Sequence, residues 1–209
     1  MKFVILAAIL LAGFAVLSFL ISSNNEEITK WDTSSFHAIN TPHGKTLNKL
    51  MVDLTKYGRE VVWMSVIVLL AVLGKKDGRK ASVLLTLSFL ILIPLGTVLK
   101  DEIDRARPST ENLLVNSDHD SSFPSGHAVI VSAGATILLF RFNTGKQIIF
   151  SIILGIEALL VSYSRIYVGA HYPLDVVGGI LLGTGIACAV IASSKYLRPV
   201  FSYIDNMKK

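Results

Sequence analysis

His171 and Asp175 stand four residues apart, with Pro173 between them opening a helix. At that spacing a carboxylate can accept one imidazole N–H, fix the tautomer and leave the other nitrogen free to attack. A second histidine, His127, closes the run Pro124-Ser125-Gly126-His127. Proline suits the first turn of a helix, where its missing N–H has no partner to lose. The amides of Ser125, Gly126 and His127 are then expected to point out of the helix start, and Gly126 lets an anion approach the backbone. Free amides at the positive end of a helix bind anions. Lys100, Arg107 and Arg165 add three cations, two of them with forked donors. Two histidines in opposite roles beside such a cradle suit phosphoryl transfer: one attacks phosphorus, the other protonates the leaving oxygen.

These residues are far apart in sequence, so the elements that carry them must bring them together. The chain has 209 residues, 52% of them hydrophobic and 17% charged, and a mean hydropathy of +0.58. Soluble domains carry about 25% charge. Six apolar segments are predicted as spans: Phe3–Ile21, Val61–Leu73, Ala81–Leu99, Ala128–Phe142, Ile148–Val161 and Leu174–Ala192. Crossing the hydrocarbon takes about 20 residues. The second and fifth segments fall short, but Leu47, Leu50, Met51 and Leu54 lead helically into the second, interrupted by Gly58, and the fifth can run on through Tyr163. The first segment has the basic start of a signal peptide at Lys2, but it is too long for that and is expected to be a retained span. The expected fold is a single all-α domain over 1–209, an integral membrane bundle of six transmembrane helices.

Loop charge orients it. Lys75, Lys76, Arg79, Lys80, Arg141, Lys146, Lys195, Arg198, Lys208 and Lys209 fall on one side of a six-span alternation, and most acids on the other. Basic loops stay cytoplasmic. Both termini are therefore expected inside, with the three polar clusters together at the outer face. The net charge of +5 is spread over chain ends and short loops, which fits membrane topology and not a nucleic-acid partner. The single cysteine, Cys188, makes no internal disulfide and is expected to pack.

The three clusters closely resemble the tripartite motif of the type 2 phosphatidic acid phosphatase superfamily. They read Lys100, six residues, Arg107-Pro108; Pro124-Ser125-Gly126-His127; Ser164-Arg165, five residues, His171 and then Asp175. The resemblance covers residues 100–175 and the helices around them. It implies that His171 becomes a phosphohistidine, that Asp175 orients it, and that His127 is the acid. Lys100, Arg107, Ser125, Gly126 and Arg165 would bind phosphoryl oxygens, with no metal or other cofactor. It implies a lipid phosphatase of the bacterial cytoplasmic membrane, active at the outer face. Phosphatidylglycerophosphate is the first expected substrate, followed by undecaprenyl pyrophosphate and phosphatidic acid. A phosphotransferase with another acceptor and a non-enzymatic anion channel are the rival readings.

Outside the motif, Asp118, His119 and Asp120 are expected to be a solvated loop and not a metal triplet. Glu157 lies inside the fifth segment, about 12 Å below Arg165 along a helix, and is expected to make a buried structural hydrogen bond. Gly179 and Gly183 predict close helix packing within one chain, and a monomer, over a dimer face. Residues 24–56 are read either as an interfacial amphipathic helix or as a plain connection.

Overall fold

The computed structural model describes residues 1–116 and 120–207. The described residues form helices and loops. The helices are α1 (Lys2–Ser22), α2 (Glu26–Ile39), α3 (Lys45–Tyr57), α4 (Trp63–Val72), α5 (Lys76–Ile103), α6 (Gly126–Arg141), α7 (Gln147–Tyr167), α8 (Pro173–Ala192) and α9 (Arg198–Asn206). A π-helical turn, Gly58–Val62, joins α3 to α4 without a break. Each of the six apolar segments falls on a helix. Among the described residues, four helical stretches are long and apolar enough to cross a membrane: Lys2–Ser22, Lys76–Ile103, Gln147–Tyr167 and Pro173–Asn206. The fifth segment thus gains its length, whereas α6 has only 16 residues.

α6 is the axis of the bundle, and its residues from Ala128 to Ala135 are all buried. α8 lies against it because Gly179 and Gly183 carry no side chain. A Cβ on Gly179 would stand 2.7 Å from the Ser125 carbonyl, and one on Gly183 only 2.2 Å from that of Val129. This is packing within the chain, as the small-residue spacing predicts. The outer helices turn large apolar side chains outward, among them Ile5, Ile9 and Phe19 on α1 and Ile149, Ile153 and Leu159 on α7. Apolar surface on that scale belongs in lipid.

The basic loops gather at one end. Arg141 Nη2 donates to Asp77 Oδ1 at 2.5 Å, and Lys80 Nζ to Asp205 Oδ2 at 2.8 Å. Phe3 meets Phe140 edge-on at 4.8 Å, so the two ends of the chain share that end of the bundle. Cys188 is buried and free.

The opposite end is roofed by α2 and α3. Residues 24–56 are therefore neither a plain connection nor one interfacial helix. Asn25 starts α2 by accepting the Ile28 N–H at 3.1 Å. Ile28, Asp32, Phe36 and Ile39 then recur on one face, with Asp32 and Phe36 fully buried. Asn40 fixes the turn by donating to the Tyr167 and Asn112 carbonyls at 2.8 and 3.1 Å. α5 closes with Asp104 in the left-handed region at φ 45°, which ends the helix and sends the chain back over the roofed end.

Candidate active site

The start of α6 is set by what lies beneath it. Phe123 is fully buried over Gly178, where a Cβ would stand 2.4 Å from its ring, and it stacks on Phe14 of α1. The Ser125 N–H donates to the Asp175 carbonyl at 3.0 Å, which ties the helix start to α8. This corrects two expectations. Pro124 precedes the cap residue Ser125 and is not in the first turn, and the Ser125 amide is committed to Asp175. The outward amides of the first turn belong to Gly126, His127 and Ala128. The Ser125 hydroxyl oxygen, buried and with no hydrogen-bond partner among the described residues, is a further donor at this point.

His171 sits in the short loop between α7 and α8, held by its N–H on the Arg165 carbonyl at 3.1 Å. Its ring is 1% exposed. Arg107 Nη1 lies 3.3 Å from Nε2. A guanidinium only donates, so Nε2 must accept and the proton belongs on Nδ1. Nδ1 faces Asp175 Oδ2 at 3.5 Å, long for a hydrogen bond. Burial, and then the charges of Arg165, Arg107 and Lys100, hold the imidazole well below its ordinary pKa. The ring is therefore neutral, with its lone pair at Nε2.

Asp175 is fully buried and does more than face the histidine. Its Oδ2 accepts the Tyr172 N–H at 2.8 Å, capping α8, and its Oδ1 accepts Arg105 Nη1 at 2.5 Å. Arg105 also donates to Asp32 Oδ2 at 2.7 Å and lies 4.4 Å over the Tyr172 ring. Asp32 Oδ1 in turn accepts the Leu174 N–H at 2.9 Å. The expected pair is thus one edge of a buried Asp32–Arg105–Asp175 array that fixes the first turn of α8.

Two of the three expected cations meet a carboxylate. Asp120 accepts Lys100 Nζ at 2.5 Å and Arg107 Nη2 at 2.5 Å. Burial works against its charge, but these two donors prevail and hold the carboxyl down at about 2. Asp120 is therefore not simply solvated, as the sequence led us to expect. It sits where an anion would bridge the same two cations. Asp118 and His119 lie outside the described residues. Among the described residues no three His, Cys, Asp or Glu side chains are grouped as metal ligands.

Arg165 is 4% exposed and donates Nη1 to Thr55 Oγ1 at 3.0 Å. The Thr55 carbonyl meets His127 Nε2 at 3.0 Å. A carbonyl only accepts, so that nitrogen carries a proton and Nδ1 is the one left for substrate. Glu157 accepts Trp63 Nε1 at 3.1 Å, which braces α7 against α4.

A cavity of about 310 Å³ opens between α4, α5 and α6. Lys100, Asp120, His127 and His171 line its polar end, while Phe89, Leu92 and Ile130 line its apolar end. The seven motif side chains and Gly126 thus come to one end of the bundle. Reasoning from sequence missed Asp32, Thr55, Arg59 and Arg105. Only Asp32 carried a usable signal, since it is an acid on the apolar face of α2. Thr55 follows Met51 on the buried side of α3 and Arg59 lies in the turn after it, with nothing in their types to mark them.

The PAP2 superfamily model matches residues 81–199. The chain is 45% identical over 185 residues to an undecaprenyl-diphosphatase of Sulfolobus acidocaldarius, covering 86% of each. It is 32% identical to phosphatidylglycerophosphatase B of Bacillus subtilis, over 66% of this chain and 70% of that one. The crystal structure of a transmembrane PAP2-type phosphatidylglycerolphosphate phosphatase from Bacillus subtilis superposes with a TM-score of 0.75 at 28% identity, covering 91% and 96%.

Proposed function

Because this chain belongs to the PAP2 superfamily and is a membrane lipid phosphate phosphatase, we propose that it removes the terminal phosphate of phosphatidylglycerophosphate, undecaprenyl pyrophosphate or a related lipid phosphate through a phosphohistidine at His171. One observation carries this reading. A buried, neutral imidazole offers its Nε2 lone pair beside Arg107, at the polar end of a cavity whose other end is apolar.

The incoming phosphate displaces the Asp120 carboxylate from Lys100 and Arg107 and takes their donors. Arg165 and the first amides of α6 serve the remaining oxygens. Nε2 of His171 forms the P–N bond as the bond from phosphorus to the lipid oxygen breaks. The bonding pair leaves with that oxygen, which takes a proton from Nδ1 of His127. For this His127 must hold two protons, and the phosphate dianion supplies the countercharge. Water then returns a proton to His127 as its oxygen bonds to phosphorus and the P–N bond breaks. Inorganic phosphate leaves and His171 is neutral again. Asp175 steadies the Nδ1 proton while the ring carries positive charge.

Six spans, cytoplasmic termini and an outward-facing site complete the proposal. The basic loops at the end far from His171 support it. Purified protein should release phosphate from these lipids, and enzyme quenched in alkaline detergent after exposure to labelled substrate should carry an acid-labile, base-stable phosphoryl group that His171→Ala lacks. Ser109 is exposed near the site, so Ser109→Cys should react with an impermeant maleimide in intact cells. Protection there would place the site inside.

A further inference from the structure

Arg59 has no part in the chemistry above, yet its guanidinium lies over the start of α6. Arg59 Nη1 stands 3.5 Å from where a Cβ on Gly126 would be. The π-helical turn Gly58–Val62 puts it there, and such turns cluster at functional sites. The turn is pinned from behind. A Cβ on Gly58 would stand 2.3 Å from Val161 Cγ2, and Trp63, the first residue after the turn, is fully buried and bonded to Glu157. The cation is therefore presented by a fixed stretch of backbone. Its own side chain keeps 33% exposure and pairs with the neighbouring Glu60, which is 51% exposed.

Its position in the cavity gives it meaning. Arg59, Glu60 and Met64 line the wall that runs from His127 toward the apolar end. Lys100, Arg107 and Arg165 surround His171, where the transferred phosphorus must sit. Arg59 instead lies beside Gly126 and His127, on the side where the leaving group and its tail extend. A monoester has only an ester oxygen there. A diphosphate has a second phosphate, which keeps its negative charge and gains more as the bridging bond breaks.

We infer that Arg59 is a specificity-determining residue that binds the retained phosphate of a lipid diphosphate and thereby favours diphosphates over monoesters. The inference rests on the phosphatase reading above and names the substrate class of that same site. On binding, Arg59 exchanges Glu60 for the phosphate.

Farnesyl diphosphate and farnesyl monophosphate share one tail and differ only in the second phosphate, so their comparison isolates this contact. In detergent-solubilised enzyme, Arg59→Ala should lower kcat/KM for the diphosphate by roughly 10- to 100-fold. It should change the monophosphate value by less than about 3-fold. The loss should fall mainly on KM, and Arg59→Lys should recover part of it. Arg59→Gln, closer in volume, serves if the alanine variant does not fold. Equal losses on both substrates, or no loss on the diphosphate, overturn the inference. If the unaltered protein releases phosphate from neither compound nor from any lipid phosphate, the phosphatase reading itself fails. If it cleaves only monoesters, that reading stands and the role of Arg59 falls.

Discussion

Residues 100–175 and residues 26–63 meet at one end of the bundle, and the two regions contribute to it in different ways. The first supplies groups that could touch phosphorus: His171, His127 and Lys100 line the cavity, and Arg107 lies beside the His171 Nε2. Arg59 apart, the second supplies groups that hold the site in place. Asp32 holds Arg105 and the Leu174 amide, Thr55 holds Arg165 and His127, and Asn40 ties the roof to Asn112 and Tyr167. In the first region the chemistry fixes the residue type, because few side chains can be a nucleophile or a forked cation. In the second, any acceptor at the right point would serve, so tertiary packing decides which residue it is.

The contrast is best broken from its strong end. His171→Ala should reduce phosphate release on the order of 10⁴-fold while bound lipid phosphate remains detectable. A variant with substantial turnover would remove the nucleophile from the first region. The same residue also gives a pH signature. Its native pKa lies below the unfolded value, so below about pH 6.5 the unfolded chain binds a proton that the native one does not. Stability should therefore fall as pH drops through that range, and His171→Asn should flatten the fall in thermal melts between pH 7.5 and 5.5.

Asp32→Ala tests the second region hardest. It leaves Arg105 with one carboxylate in place of two and the Leu174 N–H without its acceptor, and should cost about 1–3 kcal/mol in thermal unfolding. An unshifted melt would make the roof dispensable. Thr55→Val keeps the carbonyl that meets His127 but removes the hydroxyl that meets Arg165. A fall of about 10-fold in kcat/KM is expected, and normal kinetics would mean that Arg165 needs no support from α3. The smallest effect is a gain. Asp120 stays ionised throughout any ordinary assay, so Asp120→Asn should lower KM by about 3-fold by removing a competitor for Lys100 and Arg107. A raised KM would instead make Asp120 part of the binding surface.

The same division explains what could be read from the chain alone. Apolar length and loop charge outlined six helices and the end at which the motifs gather. They gave the length of α6 to within a residue but not its cap, because its start is fixed by Phe123 over Gly178 and by the Ser125 amide on Asp175. Neither contact has a local signature. The tautomer expected for His171 follows from Arg107 as much as from Asp175. Arg105 stood unread within the run Lys100–Pro108, because a surface arginine and an arginine between two buried carboxylates look alike until the helices are assembled. The helical spacing of Leu47, Leu50, Met51 and Leu54 pointed to α3, whereas α2, with neither a span's hydropathy nor a motif, was left open between a helix and a plain connection.

The wide turn at Gly58–Val62 also bears on how such a chain could diversify. Loss of a single codon there would let the backbone settle to ordinary helical pitch with the helices on either side keeping nearly the same faces, because the wide turn absorbs one extra residue. Thr55 and every motif residue would keep their places, and the change would fall on Arg59 and Glu60, which the turn presents to the cavity. A lineage could thus retune which lipids it accepts by gaining or losing one residue in a segment that alignments of the motifs never inspect.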